Sequence, residues 1–150
     1  MNFLPMISIG FFNPLMQIFV ICIIFIATVF VQHRAYKKSG KIFTNYPPTT
    51  IIFFAPIYEE VIFRGIILSG LIYMYGIVPA IIITSILFGV WHIRSIFFMS
   101  SRKTLAQILY TALILGPIFA TLTIHTGSIW LAVILHFLNN LFAPILENKP

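Results

Sequence analysis

Glu59, Glu60 and Arg64 lie together in the stretch PIYEEVIFRG, residues 56–65. Glu60 and Arg64 are four residues apart with the acid first, the favourable order for an ion pair along one helix face. Glu59 points about 100° round the helix from Glu60 and has no local partner of opposite charge. A carboxylate without a local partner, set beside an imidazole, suits general-base activation of water. Two imidazoles stand further along the chain. His92 follows Phe88 by one turn in FGVWH, and His136 precedes Asn140 by one turn in HFLNN. An imidazole and an amide on one helix face suit donation to a developing oxyanion. Glu59, Glu60, Arg64, His92, His136 and Asn140 together make a constellation for acyl transfer or hydrolysis.

These groups sit in a chain that is 60% hydrophobic and 8% charged. A soluble domain carries roughly a quarter charged residues, and so few cannot cover a water-facing surface. The expectation is therefore an all-α, polytopic transmembrane helix bundle, with 150 residues giving about five spans of roughly 20 residues each. The apolar runs place these spans at 14–31, 50–75, 79–93 or a little beyond, 105–124 and 129–146. Residues 1–49 read as an N-terminal span followed by a basic cytoplasmic loop, and 50–146 as a catalytic helix bundle. Ser100 or Ser101 is an N-cap candidate for the fourth span. Gly127 in HTGS marks a tight turn before the fifth.

The net charge of +6 would suggest nucleic acid in a soluble chain. Here it follows the membrane instead. Of nine Lys and Arg, all but Arg64 fall in the segments after spans one, three and five. The connections YGIVP and HTGS carry none. The positive-inside rule then puts the N-terminus outside and the C-terminus in the cytoplasm of a multi-pass cell-membrane protein. Lipid and a peptide or membrane-protein substrate are the expected partners, and nucleic acid is not. The single Cys22 allows no intrachain disulfide. The N-terminus has no basic n-region and no small-residue cleavage site, so no signal peptide is expected.

Depth along the spans brings the polar groups into one layer. At 1.5 Å per residue, Glu59 and His136 lie at similar distances from the cytoplasmic face, and Asn140 lies one turn nearer to it. His92 reaches the same depth if its helix continues into SIFF. Charged groups inside spans are functional-site candidates, because their burial in lipid is costly.

At these residues the sequence resembles the CPBP intramembrane proteases, which include the CAAX prenyl proteases and bacteriocin-processing or self-immunity (Abi) proteins. EEVIFR matches that family's EExxxR motif, FGVWH its FxxxH motif and HFLNN its HxxxN motif, in the same order, over about 50–142. The resemblance implies a glutamic-type, metal-independent endopeptidase without a cofactor. Glu59 would be the general base, holding the attacking water with His92. His136 and Asn140 would stabilise the oxyanion, while Glu60 and Arg64 would organise the site. The eukaryotic and archaeal prenyl proteases have more spans, so the likeness points to a short bacterial-type member.

Each feature also has a structural reading. Glu59, Glu60 and Arg64 could form a polar network that only fixes helix packing. His136 and Asn140 could be interhelical hydrogen-bonding groups, and His92 a helix-end residue at the headgroups. Asn139 reads as a packing or capping amide, Tyr58, Trp91 and Trp130 as interfacial or packing aromatics, and His33 and His125 as solvated. Alternative functions are a non-catalytic membrane immunity or scaffold protein, and a zinc-dependent membrane protease using Glu59, His92 and His136. The zinc reading lacks an HExxH signature, and a proton-coupled transporter would be expected to show repeats and paired broken helices.

Overall fold

A computed structural model describes residues 49–97 and 100–147, together with the helical residue 26. Among the described residues every regular element is helical. The span expected at 14–31 and the basic segment after it lie outside the described residues, apart from residue 26.

The first rod is continuous. Helix α1 (Thr49–Glu60) runs into a π-helical stretch (Val61–Leu68) and then α2 (Ser69–Tyr75). Pro56, inside α1, supplies no backbone N–H. The π-helical stretch begins directly after Glu59 and Glu60 and contains Arg64. Wide i→i+5 turns are rare and are frequently found at functional sites. Gly76, with φ 83°, breaks the helix and starts the next one. An L-residue adopts that backbone only with strain, so glycine is the residue suited to this one-residue turn.

The second rod comprises α3 (Ile77–Trp91) and a 3-10 segment (His92–Phe97). The helical path therefore continues into SIFF, the condition under which His92 shares the depth of Glu59. The third rod comprises α4 (Ser101–Tyr110), a second π-helical stretch (Thr111–Leu115) and α5 (Gly116–Thr126). Its first turn precedes the expected start at 105, because Ser100 caps it by accepting from the Lys103 N–H at 3.5 Å. That polar turn carries little hydropathy, which is why an apolar-run reading omits it. Gly127, in the left-handed region at φ 65°, ends the rod. The fourth rod is α6 (Trp130–Glu147), with the Ser128 hydroxyl accepting from the Trp130 N–H at 3.3 Å.

With connections this short, consecutive rods pack side by side. The fourth also returns to α1, so the described rods close into a ring. Phe63, Phe88, Phe119 and Ala132, one from each rod, form the central cluster. The second and third rods approach closely at Gly89. A Cβ there would sit 2.5 Å from the Ala112 Cβ and 2.8 Å from the Ile108 carbonyl oxygen. Gly89→Ala should therefore destabilise the bundle by about 1–3 kcal/mol through overpacking, measured as a lower midpoint of thermal unfolding in detergent.

Ile77–Phe97 and Ser101–Thr126 are long and apolar enough to cross a membrane, and 28% of each apolar window is buried inside the molecule. Their apolar side chains thus face mainly outward, as a lipid-facing surface requires and a soluble core helix does not. The first rod has comparable length but carries Glu59, Glu60 and Arg64 at its centre, and the apolar part of the fourth, Trp130–Phe142, is shorter.

Candidate active site

The innermost polar pair is Glu60–Arg64. The side chains meet at 3.0 Å and are wholly shielded from solvent. Arg64 also donates to the Gly116 carbonyl at 3.3 Å. Its guanidinium lies 4.0 Å from the Phe88 ring centre and 5.3 Å from that of Phe119. A guanidinium tolerates this setting because its planar, weakly hydrated face stacks on aromatic rings while its edge donates hydrogen bonds. The i, i+4 pair expected from the sequence is thus formed across the π-helical boundary.

His136, on α6, reaches the same carboxylate. Its Nδ1 lies 2.8 Å from Glu60 Oε1, the atom that also accepts from Arg64. An ionised carboxylate only accepts, so Nδ1 carries the proton. Nε2 then points the other way, 3.7 Å from Glu59 Oε2. The imidazole ring is packed between Phe88 and Phe119, at centroid distances of 5.5 and 5.6 Å. Glu60 therefore fixes the tautomer and orientation of His136, the part a carboxylate plays toward an imidazole in many hydrolytic sites.

Glu59 is buried and, while it has no partner of opposite charge along its own helix, it has one on another rod. Arg94 Nη2 lies 2.6 Å from Glu59 Oε1. Trp91 Nε1 donates to the same oxygen at 3.1 Å and the Tyr58 hydroxyl at 3.3 Å. Sequence reading counted Arg94 among the cytoplasmic loop charges and Trp91 and Tyr58 among packing aromatics. The 3-10 continuation of the second rod is the reason for the difference, since it carries Arg94 inward to the carboxylate instead of leaving it in a loop. An available signal was the position of Arg94, two residues past His92 and at the depth assigned to Glu59. The polar centre thus runs Arg64, Glu60, His136, Glu59, Arg94, with a carboxylate on either side of the imidazole and a guanidinium at either end.

His92 is half-buried at the start of the 3-10 segment. Its Nδ1 lies 2.8 Å from the Phe88 carbonyl oxygen, so that nitrogen donates and Nε2 is the free one in the neutral ring. The Phe88 and His92 rings meet edge to face at 5.1 Å, as their i, i+4 spacing implies. Asn140 is half-buried one turn beyond His136, and its Oδ1 faces Asn139 Nδ2 at a long 3.5 Å. Asn139 is tied to the third rod by the Tyr110 hydroxyl at 3.1 Å, in keeping with its reading as a packing amide. Among the described residues no three His, Cys, Asp or Glu side chains are grouped so as to hold a metal ion.

A Bacillus subtilis (strain 168) protein named "Putative membrane peptidase YdiL" is 36% identical over 95 residues, which are 63% of this chain and 34% of that protein. The chain thus spans about a third of the length of that relative. No solved structure matches the chain. The family model described as type II CAAX prenyl endopeptidase, Rce1-like, matches residues 19–142. The two long apolar rods and these likenesses agree on a membrane location. Since that match covers most of the sequence and includes every candidate residue from Glu59 to Asn140, the chain belongs to the Rce1-like family of type II CAAX prenyl endopeptidases.

Proposed function

We propose that the protein is a multi-pass intramembrane peptidase that hydrolyses a peptide bond near the cytoplasmic membrane face with a glutamate-activated water and no metal. The observation that carries this reading is the buried approach of Glu59 Oε2 to His136 Nε2, 3.7 Å apart, beside the Glu60–Arg64 pair. The water oxygen attacks the scissile carbonyl carbon as its proton passes to Glu59. His92 helps to hold that water through its free Nε2. The carbonyl oxygen becomes an oxyanion, stabilised by His136 and by the Asn140 side-chain amide. His136 acts as a donor to it when Nε2 carries a proton, with Nδ1 remaining on Glu60. Collapse of the tetrahedral intermediate breaks the C–N bond, and the proton held by Glu59 passes to the leaving amine.

The name of the B. subtilis relative and the family description both point to peptide-bond hydrolysis. Within that class the reading includes bacteriocin or peptide processing and self-immunity, with the N-terminus outside and the C-terminus in the cytoplasm by the distribution of Lys and Arg. The test is cleavage of quenched-fluorescent membrane-anchored peptides by the full chain reconstituted in lipid vesicles. Cleavage should persist in excess chelator. Loss on chelation with recovery on added zinc would instead assign the water to a metal. Absence of cleavage across a broad panel, with biological activity intact in Glu59→Gln cells, would favour a non-catalytic immunity protein.

A further inference from the structure

We propose that Arg94 is a positioning residue that determines which oxygen of Glu59 serves as the base. The proposal rests on the hydrolytic reading above and adds to it a residue outside the three motifs. Arg94, Trp91 and Tyr58 converge on Oε1 of Glu59, at 2.6, 3.1 and 3.3 Å. A carboxylate oxygen presents about two lone-pair sites, so three donors leave Oε1 no room to take a proton from water. Among the described residues no such donor reaches Oε2. Its neighbour is His136 Nε2 at 3.7 Å, beyond hydrogen-bonding distance. The clamp therefore turns the free lone pairs of the carboxylate toward the imidazole.

The fold builds the clamp from the second rod. In a 3-10 turn, side chains three residues apart eclipse, which brings Trp91 and Arg94 onto one face. The guanidinium then lies 4.4 Å over the Trp91 ring. Trp91 packs edge to face on Phe63 at 5.8 Å, anchoring the clamp in the central cluster. Arg94 also donates to the Tyr58 hydroxyl at 3.3 Å, and that hydroxyl donates onward to Oε1. The Arg94 side chain is 46% exposed while that of Glu59 is 3% exposed. Arg94 thus joins the buried base to the surface.

The test uses the full chain in lipid vesicles with quenched-fluorescent membrane-anchored peptides, comparing wild type, Glu59→Gln, Arg94→Ala and Arg94→Lys. Misorientation of a catalytic group costs on the order of 10- to 100-fold in rate. Arg94→Ala should therefore lower kcat by at least about tenfold with KM within about twofold, and Arg94→Lys should restore most of the loss. Faster turnover in Arg94→Ala would overturn the proposal, since Arg94 would then restrain the base. A raised KM at unchanged kcat would overturn it by making Arg94 a substrate contact, and so would unchanged kinetics. Equal activity of wild type and Glu59→Gln would remove the hydrolytic reading itself. The clamp is then read without substrate, from labelling of Glu59 by a hydrophobic carbodiimide, which attacks carboxyl groups not held as ion pairs. Labelling should rise severalfold in Arg94→Ala and fall back in Arg94→Lys, and equal labelling in all three would show that the clamp does not form.

Discussion

Glu59→Gln is expected to abolish cleavage while the protein remains inserted and folded. The amide has the volume of the carboxylate, and its oxygen can still accept from Arg94, Trp91 and Tyr58, the partners of Oε1. What it lacks is a group that can take a proton from water. General-base catalysis typically contributes 10²–10⁴-fold, so turnover should fall by at least about 100-fold. The loss should appear in kcat, because the interaction with the proton exists only as the reaction proceeds. A peptide-release assay in vesicles measures it, with thermal unfolding of the same preparation as the control for folding. Turnover near that of wild type would rule out Glu59 as the base.

Arg64→Ala should damage the fold as well as the reaction. The substitution strips the ion pair from a carboxylate with no exposure and leaves the Gly116 carbonyl without its side-chain donor. It also removes the cation that stacks on Phe88. Removing one partner of a buried pair costs about 3–5 kcal/mol, because the other charge stays buried. The expected result is a lower yield in the membrane, a lower unfolding midpoint in detergent and lost cleavage. The double variant Glu60→Leu/Arg64→Met separates the two effects. Replacing both charges with apolar groups of similar volume is often neutral for stability, so the unfolding midpoint should move back toward wild type. Activity should not return, since replacing Glu60 takes from His136 Nδ1 the acceptor that orients it. If Arg64→Ala slowed cleavage while leaving stability intact, Arg64 would be a substrate contact instead.

These expectations separate two parts of the site by the exposure of the guanidinium that serves each carboxylate, buried at Arg64 and half-exposed at Arg94. Glu60, Arg64 and His136 lie at the centre, packed by Phe88 and Phe119, where loss of one group strands another. Glu59 is as buried as His136 but is held by the half-exposed Arg94. Substitutions at the centre should therefore change stability and rate together, whereas Arg94→Ala, which removes a half-exposed guanidinium from the buried Glu59, should cost less stability than Arg64→Ala.

The sequence by itself determined the membrane class, the four described helical rods and a short list of candidate residues. Apolar run length fixes the rods almost independently of one another, because a chain in lipid must satisfy its backbone hydrogen bonds within each helix. The i, i+4 spacings of Glu60–Arg64 and Phe88–His92 are local, and both appear as contacts. The tertiary structure alone decided which groups from different rods meet. His136 turning one nitrogen to Glu60 and the other toward Glu59 depends on how α6 returns to the first rod. The pairing of Glu59 with Arg94 depends on a 3-10 turn that hydropathy cannot distinguish from a loop, since the energetic difference is one of backbone geometry and side-chain packing across 35 residues. Spacing fixes what a helix face presents, whereas partnership between faces is set by rod packing, and the second property is not written in any single segment.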